Sequence, residues 1–304
     1  MSKINVTILG TTAGVPTRER AHATIHVSYY ERKEFCCLFD CGEGAQRQLM
    51  IGGLNLMKID NIFITHWHGD HCLGVPGLVD TMGFEDRVRP LTVYAPEARR
   101  VRRCINSSVS MGNFKVISRD VPAKGKRITR LLDTERFSIL TVPVNHGIPA
   151  VAYALVEKDK RTIDTGKAVR LGLPEKSEIY ARLKEKGVLT VDGRQITFDE
   201  VSMTKKGKKI VYSGDTEICD NLRKLAKGAD LLIQDCTYFD DFGKEKPHRH
   251  SSLPEVVKMV SEEGVKRTIL THISRKYQDK GFLESLIKDY AGLELAEDFM
   301  KITV

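Results

Sequence analysis

No apolar run in this 304-residue chain approaches the roughly 20 residues that a helix needs to cross a bilayer, so a membrane-spanning helix is excluded. The first ten residues, Met1 to Gly10, alternate toward a strand and lack the long apolar core of a secretory signal. The seven cysteines (Cys36, Cys37, Cys41, Cys72, Cys104, Cys219 and Cys236) are odd in number, dispersed and free of CxxC spacing. A disulfide framework and a zinc ribbon are both poorly supported by that pattern, and a reducing cytoplasm is the expected compartment. There is no internal repeat or low-complexity tract.

What is present fits a globular chain with a sizeable core, since 41% of residues are hydrophobic and 29% charged. The net charge of +8 favours a polyanionic partner such as nucleic acid, although many basic proteins have no such partner. That charge is unevenly spread. Residues 157–209 hold fourteen Lys or Arg against nine Asp or Glu, a net of +5, and read as an insertion into the 1–304 domain. Within them Ser177 to Lys186 has the pattern of a short helix.

Strand patterns near 4–10, 22–29, 35–40, 59–65 and 91–94 are interspersed with helical stretches, one after Leu73 and one from Pro96 that carries Arg99, Arg100, Arg102 and Arg103. Strands at 210–213, 229–233 and 267–271 alternate with helices at 218–227 and 253–263, an α/β pattern. Ser252 and Glu255 form a capping box for the last of these helices, with Pro254 in its first turn.

The densest chemistry is Thr65-His66-Trp67-His68-Gly69-Asp70-His71, three imidazoles and a carboxylate within six residues behind an apolar run. Side chains two apart on an extended segment share a side, so His66 and His68 reach one ion while the turn at Gly69 redirects Asp70 and His71. Three later apolar runs also end on ligand-type residues: His146, Asp215 and His272. In α/β folds such strand ends converge. Imidazole nitrogens and carboxylate oxygens suit zinc, and two ions sharing a carboxylate would activate water beside a phosphoryl or acyl group.

The order HxHxDH, His, Asp, His resembles the metallo-β-lactamase superfamily. Leu9 to Arg20, Leu38-Phe39-Asp40-Cys41-Gly42-Glu43-Gly44-Ala45-Gln46-Arg47-Gln48-Leu49, Ser213-Gly214-Asp215-Thr216, His250-Ser251-Ser252 and Leu270 to Ser274 narrow the resemblance to the ribonuclease Z family over nearly the whole chain. That resemblance implies an αββα sandwich with a protruding flexible arm at 157–209 that grips tRNA. It implies a zinc-dependent endoribonuclease that removes 3′ trailers from precursor tRNA, leaving a 3′-hydroxyl on the tRNA and a 5′-phosphate on the trailer. One zinc would sit on His66, His68 and His146 and a second on Asp70, His71 and His272, with Asp215 bridging; manganese or iron are possible substitutes. Asp70 would orient or deprotonate the attacking water. His250, with His248 nearby, takes the place of the catalytic histidine that protonates the departing oxygen and leans on a neighbouring acid. A homodimer is also implied. His22 and His26 read as structural, and Trp67 as packing.

Departures from the family pattern are Ala21 in place of the usual Asn, Lys276-Tyr277 in place of Arg-Tyr, and Leu173 to Ser177 without a Gly-Pro pair. The same metal ligands would also serve a small-molecule hydrolase of arylsulfatase or lactonase type, another phosphodiesterase, or an RNA-binding protein with a structural metal.

Overall fold

The computed structural model describes residues 2–31, 34–106, 114–175, 178–240, 249–277 and 279–304, so that Lys176, Ser177 and His248 lie outside the described residues. Two units emerge. One comprises Met1–Thr134, Ser138–Leu155 and Lys209–Val304, and the other Glu135–Phe137 and Val156–Lys208.

The larger unit is built on two seven-stranded sheets. In the first, Lys3–Gly10 pairs antiparallel with Met300–Thr303 and with Thr24–Tyr30, which pairs antiparallel with Glu34–Phe39. From there the order turns parallel through Ile59–Phe63, Leu91–Ala95 and Val116–Asp120. In the second, Lys209–Tyr212, Leu231–Asp235, Thr268–Thr271 and Leu293–Leu295 run parallel. The strands Phe137–Val144 and Ala150–Glu157 extend this sheet toward Thr129–Asp133 at its edge.

Strand parity divides the first sheet's side chains between two cores. Phe39 and Phe63 point at the second sheet, where the Phe39 ring stacks on Tyr153 at 5.7 Å and on Tyr212 at 6.1 Å. Leu38 and Ile62, one residue earlier, face the other way and pack with Leu49, Leu78, Val79, Met82, Val101 and Ile105 of the helices Ala45–Ile51, Gly74–Phe84 and Arg99–Ile105. Each buried side chain of this size contributes roughly 1.5–3 kcal/mol, which is why the sandwich of sheets needs its outer helices. The expected αββα architecture is the one observed. Helix Leu253–Glu263 begins at the expected cap, with the Ser252 and Glu255 side chains each reaching the other's backbone.

The smaller unit has its own core of Ala168, Leu173, Leu183, Ile196 and Val201. Its helix Ile179–Lys186 presents Arg182, Lys184 and Lys186 to solvent. Two antiparallel ladders complete it, Lys160–Ile163 with Ser202–Lys205 and Val188–Val191 with Arg194–Thr197.

Candidate metal centre

Strand ends deliver the site. Glu34–Phe39 leads into Asp40, Phe137–Val144 into His146, Lys209–Tyr212 into Asp215 and Thr268–Thr271 into His272, while Leu231–Asp235 stops on Asp235 itself. The ladder of Ile59–Phe63 ends two residues before the expected boundary at 65, because Thr65 leaves it for Asp40. Its amide donates to Oδ1 at 2.7 Å and its hydroxyl lies 2.8 Å from Oδ2. His66 and His68 therefore stand in a loop, and Asp70 and His71 on the one-turn helix Gly69–Cys72.

The ligand atoms of His66, His68, His146 and Asp215 lie within 4.8 Å of one another, as do those of Asp70, His71, Asp215 and His272. Asp215 is common to both sets and buried. Nδ1 of His68 lies 3.0 Å from Nε2 of His66 and 3.1 Å from Nε2 of His146. Nε2 of His71 is 3.2 Å from Asp215 Oδ1 and 3.5 Å from Asp70 Oδ2, and Nε2 of His272 is 3.2 Å from Asp215 Oδ2 and 3.4 Å from Asp70 Oδ2.

Hydrogen bonds on the outer nitrogens decide which nitrogen faces inward as a lone pair. Nδ1 of His71 donates to Asp40 Oδ2 at 2.7 Å, and Nδ1 of His146 donates to the Arg249 carbonyl at 3.1 Å. The Thr65 hydroxyl gives its one proton to Asp40, so toward Nδ1 of His66, 2.9 Å away, it can only accept. Thr237 repeats the device: its hydroxyl donates to Asp235 Oδ1 at 2.7 Å and accepts from Nδ1 of His272 at 2.8 Å. Nε2 is therefore the nitrogen that His66, His71, His146 and His272 each turn toward the carboxylates, and Nε2 of His71 is buried with no hydrogen-bond partner.

This donor set fits a divalent cation, because lone pairs and carboxylates packed this closely require positive charge among them. The acid–base balance shows the same demand. Burial opposes charge on His71, yet Asp215 and Asp40 raise its pKa well above the usual value. Burial likewise opposes ionisation of Asp215 and Asp70, yet their histidine neighbours hold both well below the usual carboxylate range. Burial lowers His66, His68 and His146, keeping them in the neutral form a metal requires.

His250 stands beside these groups. Its Nδ1 is 2.8 Å from Asp235 Oδ2 and 4.0 Å from Asp215 Oδ2, and its ring stacks on His272 at 5.1 Å. Although burial disfavours its charge, Asp235 raises its pKa to about 9. The third set within the same ligand spacing, Asp215, Asp235, His250 and His272, arises from this contact. Asp235 is otherwise engaged by the Thr216 amide and by the amide and hydroxyl of Thr237.

Asp40 and Asp235 were not singled out from the sequence. The signal was there for both: each closes a β-run in the manner of Asp215. The Gly14 amide, 3.0 Å from Asp70 Oδ2, had no sequence signal beyond its glycine-containing loop. Trp67 is packing, half-buried against the helix-side core with its indole donating to the Pro96 carbonyl. His22 and His26 are buried and belong to neither ligand set. Of the arginine run, Arg99 and Arg100 pair with Glu97.

The metallo-beta-lactamase superfamily is matched across residues 23–231. The chain is 35% identical to a ribonuclease Z of Methanothermobacter thermautotrophicus over 99% of its own length and 97% of that protein's. It is 36% identical to one of Pyrococcus abyssi over 99% and 96%. Among solved structures, human tRNase Z, short form, aligns with a TM-score of 0.69 and 28% identity, covering 98% of both chains.

Proposed function

The chain belongs to the ribonuclease Z family of the metallo-β-lactamase superfamily, and from that premise we propose how its residues do their work. It is a metal-dependent endoribonuclease of tRNA 3′ processing. The metal would be zinc, two ions per subunit, one held by His66, His68 and His146 and one by Asp70, His71 and His272, with Asp215 within reach of both sets. Imidazole nitrogens favour zinc, while the carboxylates admit manganese or iron. When bound, the ions supply water acidic enough to act as a nucleophile at neutral pH and positive charge opposite the phosphodiester.

The protein's own groups do the rest. Asp70, anchored by the Gly14 amide, orients the water for attack on the phosphorus. His250 carries a proton at neutral pH, Asp235 holds its Nδ1, and its Nε2 protonates the departing 3′ oxygen as the P–O bond breaks. The products are a tRNA ending in a 3′-hydroxyl and a trailer beginning with a 5′-phosphate. Residues 157–209 bind the tRNA phosphates, recognising shape rather than sequence. No helix among the described residues is long and apolar enough to cross a membrane, and the cysteines form no disulfide among the described residues. The enzyme works as a cytoplasmic homodimer.

The observation that carries this reading is the single carboxylate of Asp215 shared by two ligand sets, with the paired His250 and Asp235 alongside. The test is end-mapping of a 3′-extended precursor tRNA after incubation with the wild type and with Asp70→Ala. One cut leaving a 3′-hydroxyl, lost on chelation and in the folded variant, is expected; full cleavage by Asp70→Ala overturns the mechanism.

A further inference from the structure

Asp40 is fully buried and accepts four hydrogen bonds: from the Thr65 amide, the Thr65 hydroxyl, Nδ1 of His71 and the Tyr212 hydroxyl at 2.8 Å. Two of these donors lead to different halves of the centre. His71 belongs to the set with Asp70 and His272, whereas Thr65 leads through its hydroxyl to His66, which belongs with His68 and His146. We infer that the Thr65 hydroxyl is a positioning group that couples the two half-sites through Asp40, so that filling one weakens the other. The inference rests on the two-ion reading given above.

The coupling has a definite sign. A cation on Nε2 of His66 makes its Nδ1–H a stronger donor to Thr65, and the Thr65 O–H in turn a stronger donor to Asp40, because hydrogen bonds in a chain polarise one another. Asp40 then has less negative charge with which to hold the proton on Nδ1 of His71. A less firmly held proton makes His71 a poorer ligand. Removing the hydroxyl has the reverse effect on the second half-site: Asp40 loses one competing donor and grips His71 harder. It also leaves Nδ1 of His66 without an acceptor, so the inward lone pair is no longer fixed.

The experiment is a competition titration of the metal-free protein with Zn2+ and with Co2+ against a chromophoric chelator, without RNA. Each binding step is assigned with His68→Ala and His272→Ala. Thr65→Val keeps the side chain's shape. It is expected to weaken the half-site containing His66 by about 10–100-fold, the range for lost outer hydrogen bonds, and to tighten the half-site containing His71 by a few-fold. Thr65→Ser, which restores the hydroxyl, should return both constants to wild type, and unchanged thermal unfolding of the metal-free variants shows that the fold is intact. If Thr65→Val changes only the His66 half-site, or neither, the coupling is overturned. Should Thr65→Val fail to fold, Thr65→Ala takes its place. A wild type that binds no ion at either step would instead overturn the two-ion reading.

Discussion

Asp235 Oδ2 accepts from Nδ1 of His250 at 2.8 Å while its Oδ1 accepts from the Thr237 hydroxyl at 2.7 Å, so one buried carboxylate orients His250, the proposed proton donor, and, through Thr237, His272 of the proposed ligand set. The same pattern recurs across the site at Asp40, which holds His71 directly and reaches His66 through Thr65. Asp40 therefore braces both proposed half-sites and Asp235 adds a second brace to the one with His272, though neither carboxylate is in a predicted ligand set.

Asp235→Asn should lower kcat for precursor tRNA by about 10²-fold or more, within the range for losing a positioned general acid. The pH profile separates this from a general loss of structure. In the proposed mechanism protonated His250 is the active form, so the rate should fall as pH rises through its pKa, which Asp235 raises to about 9. With the charge removed that pKa drops, and the alkaline limb of kcat should move to lower pH. An unmoved limb would show that His250 is not the acid.

His26 allows a prediction about stability away from the reaction. Burial lowers its pKa to about 4 from 6.5, so it is neutral in the fold and takes up a proton more readily when unfolded. Its contribution is complete above pH 6.5, declines as pH falls toward 4, and amounts to roughly 3 kcal/mol at about 1.4 kcal/mol per unit. Urea unfolding of wild type and His26→Gln should converge by about that amount across this window, since the carboxylates common to both cancel. Parallel pH curves would show that His26 titrates normally in the fold.

Much of this was legible in the chain. The HxHxDH run, the strand ends and the capping box at Ser252 all announce themselves through local pattern. Asp40 and Asp235 lay in plain view in motifs of the right kind, but a carboxylate's partner is decided by tertiary contact, across 172 positions for Asp40 and Tyr212. The end of the strand at Phe63 was equally hidden, since Thr65 reads as a good strand residue until Asp40 captures its amide.

At Gly42 the Asp40-Cys41-Gly42 segment leaves no room for a Cβ. A Cβ there would stand 2.3 Å from the Asp70 carbonyl oxygen and 2.5 Å from the His22 Cβ. The Cys41 amide also donates to the His71 carbonyl at 2.9 Å, so the segment is laced to the helix that carries Asp70 and His71. Gly42→Ala should cost about 1–3 kcal/mol by overpacking and weaken zinc retention, because the backbone at Asp70 must move. Gly44 offers the control. It has φ 82° with nothing near its Cβ position, so Gly44→Ala should cost about 1–2 kcal/mol in backbone strain and leave zinc affinity alone. Equal zinc affinities in both variants would refute the steric account.

The basic insertion can be removed with little disturbance at its base. The Glu157 amide donates to the Lys208 carbonyl at 2.8 Å, and Lys160 is paired with Lys205 across a ladder, so the chain leaves and returns at adjacent points. Replacing 160–205 with Asn-Gly, a two-residue turn suited to joining antiparallel strands, should preserve the rest of the fold. If the insertion serves to hold tRNA, the excised protein should hydrolyse bis(p-nitrophenyl) phosphate at the wild-type rate while kcat/KM for precursor tRNA falls by about 10²-fold or more. Salt dependence supplies the second readout. Affinity for tRNA falls with log salt in proportion to the number of phosphates neutralised, so the excised protein should show a distinctly shallower slope. A protein that loses both activities has lost its metal centre, and one that keeps both shows that the phosphates are held elsewhere, with Arg102 and Arg103 on the helix Arg99–Ile105 the next basic surface to test.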